Sequence, residues 1–282
     1  MSEPKNERPL LRTKLLVPRA HPERVARPRL TARLDEGRRR RLTLVSAPAG
    51  FGKTTLLSAW IDALDESVAW LSLDERDNDP TRFWSYVIAA LQTVWPGVGT
   101  TATAMLRAPQ APPVESVLTE LLNDVTAQAG EAYLILDDLQ AVEDPQIHDA
   151  LAFLIENLPP HLHLVLATRA DPPLPLARLR ARRQLVELRA ADLRFTPPEA
   201  EAFFDLLTGA ALSHEDVAAI EELTEGWAAG LQLAALSLPE AEDVAAFLAA
   251  FSGSPRYVYD YMAHEVARRH PPEVHNFLRR TA

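Results

Sequence analysis

A chain of 282 residues, 47% hydrophobic and 24% charged, is long enough for one large domain or two ordinary ones and too apolar to be disordered throughout. It has no cysteine, which excludes disulfides, thiolate metal sites and cysteine nucleophiles, and no uncharged apolar run near the roughly 18 residues of a membrane span. Charge is uneven: residues 1–41 carry 13 Arg/Lys against 5 Asp/Glu, and the remaining 241 carry 16 against 34, an acidic body unsuited to gripping a nucleic-acid backbone by itself.

The opening MSEPKNERPLLRTKLL lacks the apolar core of a signal peptide, so a cytoplasmic location is expected. Arg38–Arg41 reads as a solvated helix end before a strand, with a phosphate-binding patch as the other reading. Arginine outnumbers lysine 26 to 3, and after Lys14 the only lysine is Lys53. Leu42–Ser46 is a short apolar strand followed by a Gly-containing turn. Leu56, Leu57, Trp60, Ile61 and Leu64 then share one face of a helix. Val68–Leu73 reads as a second strand, and Asp79-Pro80 as the cap and first residue of a helix to about Val94. Residues 96–113, with four prolines and two glycines, are expected to be a loop, and a helix runs from about Val114 to Ala129. Ala132–Asp137 is apolar without alternation, as in a parallel strand covered on both faces. Pro145–Leu158 is a helix, Leu162–Thr168 a fourth strand, Arg178–Arg183 a helix end and Gln184–Leu188 a fifth strand. Such β-α repeats predict an α/β fold: a five-stranded parallel sheet with helices on both faces.

After Leu193 the pattern turns alanine-rich and helical, over Pro198–Leu207, His214–Leu223, Trp227–Leu236 and Asp243–Phe251. A further helix is expected at Tyr257–His270, ending at Pro271-Pro272. The domain expectation is 1–192 (with 1–30 as an N-terminal extension), a small all-α helical domain over 193–254, and the start of another domain at 255–282. The last residues include no evident closing element, so a longer protein is expected.

Ala47-Pro48-Ala49-Gly50-Phe51-Gly52-Lys53-Thr54-Thr55 matches the phosphate-binding loop G-x-x-x-x-G-K-[ST], with alanine at the first glycine, between a strand and a helix. Gly50 and Gly52 let successive N–H groups curl toward phosphate oxygens. The helix that follows adds the positive end of its dipole. Lys53 suits the β- and γ-phosphates of a nucleotide, and Thr54 offers a hydroxyl to Mg²⁺. Tyr133-Leu134-Ile135-Leu136-Asp137-Asp138 is a buried strand delivering two carboxylates to the C-terminal sheet edge, where ligands of open α/β sheets bind. Asp137 is placed to hold Mg²⁺ and Asp138 to polarise an attacking water. By the same edge argument Thr168 and Arg169 face the γ-phosphate, and Arg169 can stabilise transition-state charge. Asp74 and Glu75 read as supporting polar groups, and His161 with His163 lacks a third metal ligand.

Further segments carry a family resemblance: Leu11–Leu15 with Val17-Pro18-Arg19, APAGFGKTTLLSAW at 47–60, AWLSLDERDNDPTRFWSYVIAAL at 69–91, LILDDLQ at 134–140, ATRADPPLPLARLRAR at 167–182, LRFTPPEAEAFF at 193–204 and EGWAAGLQLAALSL at 225–238. Together they resemble the MalT-like, LuxR-type regulators, whose ATPase modules are signal-transducing (STAND) P-loop ATPases with an AAA-like core. The resemblance implies a P-loop nucleotide-binding domain, a helical domain and a winged-helix domain, the last only begun at 255–282. It assigns Lys53 and Thr54 to phosphate and Mg²⁺, Asp137 to Mg²⁺, Asp138 to hydrolysis and Arg169 to sensing. It implies ATP/ADP and Mg²⁺ as cofactors, self-association in the ATP state reset by slow hydrolysis, and DNA binding only through a C-terminal helix-turn-helix absent from this chain. Related ATPases carry Gly-x-Pro where Gly230-Leu231-Gln232 stands, so an adenine contact does not transfer there; Val25–Leu30 is the alternative flank. A small-molecule kinase with Arg178–Arg183 as a lid, and a non-hydrolysing nucleotide-dependent scaffold, remain as rival readings.

Overall fold

The computed structural model describes residues 9–19, 24–208 and 212–238, and the chain divides into two compact units. Among the described residues, the first unit draws on 9–19, 31–46 and 54–188, the second on 24–30, 47–53, 189–208 and 212–238. In chain order the elements are α1 (Pro28–Asp35), β1 (Leu42–Ser46), α2 (Lys53–Ile61), β2 (Ser67–Ser72), α3 (Pro80–Val94), α4 (Thr100–Arg107), α5 (Val114–Thr126), β3 (Ala132–Asp137), α6 (Pro145–Asn157), β4 (Leu162–Thr168), α7 (Leu176–Ala181), β5 (Leu185–Arg189), α8 (Ala190–Leu193), α9 (Pro197–Thr208), α10 (His214–Thr224) and α11 (Ala228–Ser237). No described helix is long and apolar enough to cross a membrane.

The five strands form one parallel sheet in the order β2-β3-β4-β1-β5, the expected fold class. Strand alternation distributes the core. Ala132, Leu134 and Leu136 of β3 pack with Leu162, Leu164 and Leu166 of β4 in a cluster that includes Trp84 and Leu91 of α3, Leu118 of α5 and Leu151 of α6. On the other face Tyr133 meets Trp60 of α2 edge-on, at 4.9 Å between ring centroids. With both faces covered, every residue of β1, β3 and β4 is buried, which explains their unbroken apolar sequences. α3 starts where Asp79 accepts from the Arg82 N–H at 2.7 Å and Pro80 occupies the first turn.

Residues 96–113 depart from expectation, because they contain α4 rather than a continuous loop. Val98, Ala102 and Leu106 recur at helical spacing and are buried, a stripe hidden in the sequence by threonines and flanking prolines. The helices expected at 243–251 and 257–270, and the winged-helix start at 255–282, lie outside the described residues. In the second unit α9, α10 and α11 enclose Phe204, Ile220, Leu231 and Ala234. A Ser213–Asp216 capping box opens α10. Arg27 and Arg29, from the segment considered as an adenine flank, both hydrogen-bond Glu199 and the carbonyl of Arg194. Burial would raise the Glu199 pKa, but the two guanidiniums hold it below the ordinary carboxylate range.

At the N-terminal end of β4, His163 is buried beside the Tyr133 ring, with Glu131 at 3.8 Å. Burial lowers its pKa from 6.5, against the smaller opposing pull of Glu131. At neutral pH the imidazole is therefore uncharged in the fold, and unfolding takes up a proton once pH drops below about 6.5. Stability contributed by the neutral ring is complete above that pH and is lost as pH falls toward the lowered value. Denaturation at pH 7 and pH 5 should thus show a smaller pH dependence in His163→Phe than in wild type, by at most about 1.4 kcal/mol per pH unit. Identical slopes would contradict the assignment.

Candidate phosphate-binding site

β1 runs directly into the loop 47–53, which opens α2. Gly50 and Gly52 have φ of +77° and +75°, values that glycine adopts without steric cost. At Gly50 space is a second constraint: a Cβ would lie 2.7 Å from the Ala229 Cβ and 2.8 Å from the Trp227 indole. The same segment holds the loop, since Trp227 Nε1 donates to the Ala49 carbonyl at 3.1 Å and Ala229 N–H to that of Gly50 at 2.9 Å. Lys53 is buried, and its ammonium donates to the carbonyls of Ala47 at 2.7 Å and Pro48 at 3.0 Å. The loop is thus wrapped around a cation whose rotatable donors can be redirected to phosphate oxygens. Phe51 borders a hollow of about 200 Å³ that is also lined by Arg194, Leu223, Thr224, Glu225, Trp227 and Gly230.

In the first unit the C-terminal strand tips gather the remaining polar groups. Ser46 and Thr168 are register partners across β1 and β4, as are Ser72 and Asp137 across β2 and β3. Thr54, the residue after Lys53, donates its hydroxyl to Asp137 Oδ2 at 2.8 Å, and Asp137 is only 3% exposed. A hydroxyl beside a buried carboxylate is a donor set that suits a hard cation such as Mg²⁺. Thr55 is exposed. Asp138 sits in the left-handed region at φ 59°, which a short polar side chain tolerates better than most. Its Oδ1 accepts from Gln140 Nε2 at 2.7 Å, while Gln140 Oε1 accepts from the Arg169 N–H at 2.9 Å.

Thr54 and Asp137 therefore meet directly, whereas Asp138 and Arg169 are linked through Gln140. Sequence reasoning passed over Gln140, because an amide two residues past an acid pair signals nothing until the strand order shows what it spans. Thr168 donates to the Ala170 carbonyl at 2.9 Å and Ser46 to Asp171 Oδ1 at 3.2 Å, so both hydroxyls brace the exit of β4. Asp74 supports structure, capping the turn at Glu75–Asn78 and pairing with Lys14 at 3.1 Å.

A parallel sheet whose first strand enters a loop of this kind, with an acid-tipped strand two places away, defines a P-loop nucleotide-binding domain. The chain belongs to the AAA ATPase domain family, whose model matches residues 26–167. That membership implies nucleotide binding, usually with Mg²⁺. Among curated relatives, the HTH-type transcriptional regulator MalT of Serratia proteamaculans is 37% identical over 275 residues, covering 96% of this chain. The serine/threonine-protein kinase PknK of Mycobacterium tuberculosis is 35% identical over 257 residues, covering 90% of this chain. The chain spans 30% of the length of the first and 23% of the second. In fold it is similar to a Walker-type ATPase of Pyrococcus abyssi (TM-score 0.56, 17% identity, covering 91% of this chain and 79% of that one). It is also similar to a signal transduction ATPase with numerous domains and a tetratricopeptide repeat sensor, from Pyrococcus horikoshii (TM-score 0.57, 16% identity, covering 80% of this chain and 31% of that one).

Proposed function

We propose that this chain is the ATP/ADP-binding switch of a MalT-like regulator, in which nucleotide state governs self-association and slow hydrolysis resets the assembly. The observation that carries the reading is the 2.8 Å bond from Thr54 to Asp137, one residue beyond the lysine of the phosphate loop. In this reading residues 48–55 cradle the phosphates, with Lys53 on the β- and γ-phosphates and Thr54 and Asp137 holding Mg²⁺. When bound, the ion neutralises phosphate charge. Asp138 orients and polarises the attacking water, Gln140 fixes its carboxylate, and Arg169 stabilises charge on the γ-phosphoryl oxygens.

The switch needs an element whose arrangement differs between ATP and ADP, because a nucleotide shifts an equilibrium only through differential affinity. Trp227 and Ala229 bond the carbonyls of Ala49 and Gly50, so a loop that reshapes around phosphates must strain or break contacts with the start of α11. The helices α9, α10 and α11 would carry that change outward. The PknK resemblance suits a module that drives more than one kind of output.

The kinase reading is weakened by its proposed lid. Arg178 and Arg180 pair with Glu156 and Glu187, and the cluster precedes β5, at the sheet edge opposite the strand tips. The scaffold reading differs from the switch only in turnover. Asp138→Asn should lower ATP hydrolysis by about a hundredfold while leaving nucleotide affinity within threefold of wild type. Phosphate release and fluorescent-nucleotide titration on the same samples measure both. Wild type without turnover would favour the scaffold, and a phosphorylated acceptor would restore the kinase.

A further inference from the structure

The two arginine runs of the sequence meet in the fold. In the parallel sheet the N-terminal ends of β1 and β5 are neighbours, so 38–41 and 178–183 share the edge opposite the strand tips. Arg40 donates to the Arg183 carbonyl at 2.8 Å, and the N–H groups of Arg41 and Leu42 both reach the Gln184 carbonyl. Arg41, Arg178 and Arg182 line one hollow of about 150 Å³. Arg38, Arg178 and Arg180 are paired with Glu66, Glu156 and Glu187. Arg39, Arg40, Arg41, Arg182 and Arg183 form no ion pair among the described residues. Holding five such guanidiniums together, in a chain with 39 acidic residues, leaves a concentrated positive field.

The complementary surface is on the same chain. From Phe195 to Leu238 there is no arginine or lysine, against eight Asp/Glu. Of these, Asp205 on α9 and Glu215 and Glu222 on α10 are exposed, whereas Glu225 is paired with Arg194 and Glu199 with Arg27 and Arg29. We propose that the arginine edge docks the acidic α9–α10 surface of a second copy of this chain, a head-to-tail contact in which each copy offers both surfaces. This rests on the self-association of the proposed switch and specifies which surfaces meet. A nucleic-acid backbone fits less well, because three of the eight arginines at this edge are already neutralised and the chain's net charge of -10 opposes a polyanion at longer range.

The test uses two double variants, Arg39→Glu with Arg182→Glu and Asp205→Lys with Glu222→Lys, alone and mixed, in ATP and Mg²⁺. Light scattering at roughly 50 and 500 mM salt reads assembly, since exposed pairs are screened as the Debye length shrinks. Thermal melts and nucleotide binding are measured on the same samples. Wild type should assemble at low salt and dissociate at high salt. Each variant alone should need at least tenfold more protein to assemble, and the mixture should recover, because each partner contributes the surface the other lost. Arginine-edge variants that assemble like wild type would overturn the docking surface alone, and loss only of heparin binding would point to a polyanion. A mixture of folded variants that fails to recover would also overturn it. Wild type that binds ATP yet stays monomeric would overturn both the surface and the self-association beneath it.

Discussion

Lys53→Ala should weaken ATP and ADP binding by about a hundredfold while leaving the fold in place. A hydrogen bond to a charged partner contributes about 1.5–3 kcal/mol, and each 1.4 kcal/mol is tenfold in affinity. The loop offers no replacement, since Lys53 is the only lysine after Lys14 and alanine has no donor. The substitution leaves the Ala47 and Pro48 carbonyls without this ammonium, in the loop 47–53 rather than in the sheet core, so the cost to folding is the smaller effect. Calorimetric titration with Mg²⁺ and each nucleotide measures the change. Affinity within threefold of wild type would remove Lys53 from the site. Thr54→Ala, by contrast, should reduce the Mg²⁺ dependence of binding more than binding itself, because its hydroxyl faces the Asp137 carboxylate.

The largest stability loss is expected at Asp77, in the turn after β2. Its carboxylate is fully buried, accepts from the Asp74 N–H at 2.9 Å and from Arg82 at 3.0 Å, and contacts the ammonium of Lys14. Lys14 is itself buried and lies over the Tyr86 ring at 4.8 Å, so the cluster ties the N-terminal segment to α3 and the turn after β2. Asp77→Ala would strand two cations around an apolar methyl group, and breaking a buried pair in this way costs about 3–5 kcal/mol. Urea unfolding should show a lower midpoint at unchanged slope. A loss below about 1 kcal/mol, as for an exposed pair, would show that Asp74 and water replace the carboxylate.

How much was legible in the sequence follows from what each residue's neighbours are. Leu42–Ser46, Ala132–Asp137 and Leu162–Thr168 could be bounded to the residue because strands covered on both faces must be apolar throughout. Asp79-Pro80 marked the start of α3 through chemistry contained in four residues. The strand order was not legible: nothing local states that β4 inserts between β1 and β3, and that insertion brings Arg169 within reach of Gln140. The helix at Thr100–Arg107 was obscured by prolines that flank it without entering it. Lys14 and Asp77, 63 residues apart, carry no local sign of their pairing, which only the fold makes. The phosphate loop was legible because its glycines answer a backbone requirement at Gly50 and Gly52, although the indole that limits Gly50 comes from a segment about 180 residues later.

The most direct measurement is to denature the purified chain and identify the nucleotide it releases, with Lys53→Ala in parallel. ADP retained by wild type and missing from the variant is the result expected of a resting switch whose site is this loop. A wild-type chain that releases nothing and takes up neither ATP nor ADP when supplied with Mg²⁺ would contradict the nucleotide switch.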